Sequence, residues 1–139
     1  MVLIGMNVVY SLAAYPFGRL ADRLSHERLL ALGLVVLVAA DAVLAASTHL
    51  PAIGAGILLW GLHLAITQGL LSTMVADVAP AALRGTAFGL FNLACGLAMM
   101  LASVLAGALW DVLGPAGPFA AGAGFCVITL AAMVAKPRR

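Results

Sequence analysis

The sequence predicts an all-α, multi-pass transmembrane helical bundle, and three observations carry that expectation. Hydrophobic residues make up 65% of the chain and charged residues 9%, against roughly 45–50% and 25% in a soluble domain. Apolar runs of membrane-spanning length recur along the chain, and the breaks between them are short and hold most of the charge. With seven Lys/Arg and five Asp/Glu in 139 residues, a soluble domain of this size would lack the charge to coat its surface. Disorder requires the opposite composition, low hydrophobicity with high net charge. A net charge of +2, scattered rather than gathered on one face, excludes a nucleic-acid partner. The partner this composition calls for is the lipid bilayer.

A spanning helix needs about 20 mostly apolar residues, because about 30 Å of hydrocarbon is crossed at 1.5 Å per residue. Five segments meet or approach that length: residues 2–17, 29–46, 51–75, 86–110 and 119–135. The first is not a secretory signal, since nothing basic precedes it and it ends in Tyr15-Pro16-Phe17-Gly18-Arg19 rather than a small-residue cleavage site. It is short for a span, which leads us to expect that the chain begins inside a helix. The second follows the polar stretch from Gly18 to Arg28. The third follows Ser47-Thr48-His49 and opens at Pro51, the fourth follows Pro80 and Arg84-Gly85, and the fifth follows Gly114-Pro115-Ala116-Gly117-Pro118.

Lys and Arg collect in short cytoplasmic loops. Arg19, Arg23 and Arg28 lie between the first and second segments, Arg84 between the third and fourth, and Lys136, Arg138 and Arg139 after the fifth. With alternating crossings all seven fall on one side. The N-terminus is then outside and the C-terminus cytoplasmic.

The stretch Gly18-Arg19-Leu20-Ala21-Asp22-Arg23-Leu24-Ser25-His26-Glu27-Arg28 resembles the signature loop of the major facilitator superfamily, G-x-L-a-D-r-x-G-r-r. It matches at Gly18, Leu20, Ala21, Asp22 and Arg23, and departs at Ser25, His26 and Glu27. A second stretch, Leu83-Arg84-Gly85-Thr86-Ala87-Phe88-Gly89-Leu90-Phe91-Asn92, with Gly96 beyond it and Leu109-Trp110-Asp111 near its end, resembles the eleventh helix of bacterial drug and metabolite transporters in that superfamily. The G-x-x-x-G-P motif of the corresponding N-terminal helix is absent, and no long central loop follows. The resemblance covers nearly the whole chain and implies a partial transporter domain over residues 1–139, equivalent to helices eight to twelve of a twelve-helix member. It implies no cofactor.

By the same resemblance, Gly18, Asp22, Arg23 and Arg84 are signature-loop and gating residues. Asp22 would latch the cytoplasmic side against a helix N-terminus of the other half, a contact worth about 0.3–1 kcal/mol when exposed. Arg84 would answer the other half's loop, with Asp77 a local alternative partner. A second group are candidates for the substrate or proton pathway: Asp41, His63, Thr67, Gln68 and Asn92. An intramembrane acid such as Asp41 demands a partner, and Asn7 lies at a matching depth on the first helix by 1.5 Å counting. His63 and Thr67 share a helical face, and His63 falls near the midplane where transporters of this kind bind substrate. Gln68 and Asn92 lie at matching depths and are alternative partners for each other.

Gly61/Ala65/Gly69, Gly85/Gly89 and Ala98/Ala102/Ala106 are small-residue rows at spacing four and read as helix packing. Cys95 and Cys126 sit in apolar runs and read as packing residues too. No catalytic motif or metal-ligand spacing occurs, so an enzyme is not expected.

The expected function is transmembrane movement of a small solute by alternating access, with the chain incomplete by itself and needing the missing N-terminal helices or another membrane subunit. The alternative is a non-transporting membrane interaction protein or truncated remnant. A small multidrug exporter fits less well, because the first helix carries no acid. The Ala/Gly/Leu/Val excess points to a bacterial inner membrane.

Overall fold

The computed structural model of the chain describes residues 2–21 and 24–135. It is all-helical: α1 (Val2–Ala21), α2 (His26–Ala46), α3 (Leu50–Val78), a single 3-10 turn (Ala81–Leu83), α4 (Arg84–Leu113) and α5 (Ala116–Ala135). Each expected segment is one helix, and the helices run further than the apolar runs do. α1 continues through Pro16 to Ala21, because a proline removes one intrahelical bond without ending a helix held by its neighbours. α2 begins at His26, with Glu27 in its first turn, where an acid is favoured by the helix dipole. α5 begins at Ala116, before Pro118, whose missing N–H falls in the turn that needs no intrahelical partner.

Four of these helices, α2 to α5, have the length and apolar composition of membrane spans. The first expected span is less apolar than the other four and is not among them. Asn7, Tyr10, Ser11, Tyr15, Pro16 and Arg19 interrupt α1. α3 and α4, at 29 and 30 residues, are about 45 Å long at 1.5 Å per residue, longer than the hydrocarbon they cross.

α3 is the centre of the packing. α1 and α2 both lie along it, α5 lies along α2, and α4 meets the bundle chiefly through α5. The hydrophobic cluster of Leu29, Ile66 and Leu70, with Phe17, Leu20 and Leu24 around it, ties α1, α2 and α3 together at the end where α1 stops. Close crossings fall on glycines. A methyl placed on Gly61 would lie 2.6 Å from the Met6 carbonyl oxygen, and one on Gly33 would lie 2.5 Å from the Thr67 methyl. Gly69, Gly85 and Gly89 face open space instead. Of the three small-residue rows, only the Gly61/Ala65 part of the first packs a helix backbone tightly. α4 contains no buried residue. Gly114 turns α4 into α5 at φ 76° and ψ −170°, a conformation open essentially to glycine alone.

Candidate functional site

The five expected pathway residues do not form one site: His63 and Thr67 make one cluster, Asp41 sits in another, and Gln68 and Asn92 belong to neither. In the first, α3 presents His63 to α2. The Gly33 carbonyl can only accept, so the His63 Nδ1–H donates to it, at 2.8 Å. One turn on, the Thr67 hydroxyl donates to the His63 carbonyl at 2.9 Å, and its methyl fills the space over Gly33. Gly33 is what allows this approach, since any side chain there would displace Thr67. His63 is half-buried and Thr67 buried. The Nδ1–H bond fixes the ring and leaves Nε2 as an acceptor in the neutral form.

The second cluster sits two turns further along α2. Asp41 is 4% exposed, and its Oδ2 lies 2.7 Å from where a Cβ of Gly122 would be. That direction is the Cα–H bond of Gly122, so the carboxylate is met by a weak Cα–H donor. Cys126, one turn on along α5, is buried as well. The expected Asn7–Asp41 bond does not form. Asn7 Nδ2 donates to the Leu3 carbonyl of its own helix at 2.7 Å, because α1 packs on α3 while Asp41 faces α5.

Gln68 and Asn92 are exposed, and among the described residues no hydrogen bond joins them. α4 leans too lightly on α3 to bring the two amides together. Asp77 pairs with His26 at 4.0 Å, not with Arg84. This links the end of α3 to the start of α2, and as an exposed pair it contributes about 0–1 kcal/mol. Arg84 is exposed at the first position of α4 and Gly18 is exposed in the last turn of α1. Asp22 and Arg23 lie outside the described residues. Among the described residues no group of acids, histidines and cysteines could hold a metal ion.

The sequence reading passed over two features. Gly122 shows nothing in its sequence context to mark it as the residue facing Asp41, since the pairing depends on α5 crossing back to α2. Asn7, Ser11, Tyr15 and Arg19 recur on α1 at spacing four, and the structure leaves all four exposed, interleaved with exposed Leu3, Ile4, Val8 and Leu12. The Arg19 guanidinium stacks on the Tyr15 ring, 4.8 Å from its centroid. An open, mostly apolar hollow of about 520 Å³ lies over this same face, bounded by Leu3, Ile4, Asn7, Val8, Ser11 and Leu12.

A bundle of long apolar helices joined by short turns, four of them long and apolar enough to cross a bilayer, defines a multi-pass membrane protein. The sequence pattern of the Major Facilitator Superfamily matches residues 1–139. The chain belongs to that superfamily, a family of membrane transporters rather than enzymes. It is similar to an uncharacterized MFS-type transporter of Methanocaldococcus jannaschii, at 29% identity over 106 residues that cover 76% of this chain and 27% of the relative. The chain thus matches little more than a quarter of that relative's length. No solved structure matches it.

Proposed function

We propose that the chain is part of a secondary transporter that moves a small solute by alternating access, and that it corresponds to helices eight to twelve of a twelve-helix protein. Superfamily membership across the whole chain carries this reading. Two observations support the incompleteness: α4 buries no residue, and the matched stretch covers 27% of the archaeal relative. A midplane site shared by two rocking halves is the usual arrangement in such proteins, and the chain contains fewer helices than that arrangement needs.

In this reading Gly18, Asp22 and Arg23 form the cytoplasmic gate with a helix of the other half, and Arg84 meets that half's own loop. The N-terminus faces outside and the C-terminus the cytoplasm of a bacterial cell, as the placement of Lys and Arg supports. His63 and Thr67 hold α3 to α2 beside the solute path, with Nε2, Gln68 and Asn92 turned to the solute or to the proton route. Asp41 is the candidate proton carrier.

The test is proton-driven uptake of a solute panel into vesicles. The purified chain alone is expected to show none, and uptake is expected when it is co-reconstituted with the first seven helices of a homologue. Uptake by the chain alone would overturn the incompleteness, and no uptake in either case would favour the non-transporting interaction protein. That second reading is favoured by the same bare α4, and it predicts a stable complex with a full-length homologue in mild detergent.

A further inference from the structure

The bundle divides into two parts joined along one seam. α1, α2 and α3 share the cluster of Leu29, Ile66 and Leu70, whereas α4 buries no residue. The α4–α5 hairpin is held to the rest chiefly where α5 lies along α2. Asp41 stands in that seam, 4% exposed, against Gly122 and beside Cys126.

Nothing around Asp41 balances a charge. Among the described residues it forms no hydrogen bond and no ion pair. α5 contains no charged residue, and its one titratable group is the Cys126 thiol. α3, which also packs on α2, has two, His63 and Asp77. His63 is bonded to Gly33, two turns back along α2, and Asp77 pairs with His26 at the start of α2. His49 in the α2–α3 connection and Asp111 in the last turn of α4 are both exposed.

A cation larger than a proton has no place in the seam. A metal ion takes several oxygen ligands, and among the described residues no group of acids, histidines and cysteines could hold one. A buried acid without a partner either carries its proton or moves to water. Asp41 lies five residues from the end of α2 at Ala46, about 7.5 Å at 1.5 Å per residue. Water at the membrane surface is within reach of the side chain once α5 moves aside.

We propose that Asp41 is a proton-operated catch: with its carboxyl protonated the α4–α5 hairpin docks on α1–α3, and ionisation releases α5 from α2. This goes beyond the transport reading, since the seam responds to pH whether or not the chain moves a solute. By linkage, a contact that admits only the protonated form is firmest at low pH and is lost as pH rises.

The test is the α2–α5 spacing of the whole chain in phosphatidylcholine nanodiscs, followed from about pH 5 to about pH 9. Spin labels replace the exposed Val35 and Ile128, with Cys95→Ala and Cys126→Ala as background. Val35 is six residues before Asp41 and Ile128 six after Gly122, so on antiparallel helices the two labels share one level. A second pair, at Val35 and the exposed Leu58, reports α2 against α3. The α2–α5 spacing is expected to widen as pH rises while the α2–α3 spacing stays constant. Asp41→Asn, neutral at every pH, is expected to keep α5 docked throughout.

Cys126 reports the same opening in the Cys95→Ala chain. Its rate with N-ethylmaleimide, divided by the rate in the chain that also carries Asp41→Asn, is expected to rise roughly tenfold over the same range, because a buried thiol reacts from the opened state. A carboxylate that stayed beside Cys126 would slow the reaction instead, since a like charge disfavours the thiolate.

An α2–α5 spacing that is constant with pH, or that widens equally in Asp41→Asn, would overturn the catch, and so would a Cys126 ratio that stays flat or falls. Widening of both spacings together shows the bundle melting and overturns it too. The spacing is measured with Asp41 in place, so it decides the question even where Asp41→Asn fails to fold. A seam indifferent to pH leaves the transport reading standing, and an absence of uptake leaves the catch standing.

Discussion

Asp41 and Gly122 show how a single missing Cβ decides what a membrane interface can hold. The carboxylate occupies the space a side chain at position 122 would need. Gly122→Ala is therefore expected to push α5 off α2 at a cost of about 1–3 kcal/mol, the usual range for overpacking a fitted contact. Asp41→Ala made together with it is expected to recover most of that loss, giving a coupling above about 0.5 kcal/mol in a double-mutant cycle of detergent melting. Additive effects would show that the two residues do not press on each other. Asp41 itself was legible in the sequence, because a lone acid in an apolar run demands a partner. The partner was not legible. Depth counting pointed to Asn7, and counting along helices fixes a level in the bilayer without saying which helices touch. His63 and Thr67 were legible as one face for the opposite reason, since spacing four within one helix needs no knowledge of its neighbours.

The helices themselves were readable because spanning lipid demands long uninterrupted apolar runs, and the five expected segments became α1 to α5. Their ends were harder to read. Polar residues such as His26 to Arg28 continue a helix past the hydrocarbon, where hydropathy no longer reports on it. The pairing of helices was the least readable feature, because small residues recur throughout so Ala- and Gly-rich a chain and few of them sit at crossings. Gly61 and Gly69 make that contrast testable. Gly61→Leu would drive a side chain into the α1 backbone at Met6 and is expected to cost upwards of about 1–3 kcal/mol and to loosen α1 from α3. Gly69→Leu, in the same row but facing open space, is expected to leave thermal stability in detergent unchanged or raised. Equal losses from the two would remove Gly61 as the point of α1–α3 contact.

The whole molecule has an uneven interior. α1, α2 and α3 share one hydrophobic cluster, whereas α4 reaches the rest mainly through its hairpin with α5. Orientation is the property most accessible to direct measurement at this scale. With the basic loops inside, Ala82→Cys is expected to be shielded from an impermeant thiol reagent in intact cells and to label after the membrane is opened. Thr48→Cys is expected to label from outside without opening. The reverse pattern would invert the gate assignment of Gly18, Asp22, Arg23 and Arg84 as well.

The α2–α5 seam also sets an order of events during synthesis. α1 and α2 are both made before α3, so their contacts with α3 can close as soon as α3 leaves the ribosome. α5 packs on α2 only after α3 and α4 have been threaded between them in sequence, which makes this the longest loop the chain has to close and a slow step on topological grounds. Until then Asp41 has nothing of α5 against it. A nascent chain stalled before residue 116 would carry an uncovered carboxylate in the bilayer, open to whatever assembly factor or protease surveys half-made membrane proteins.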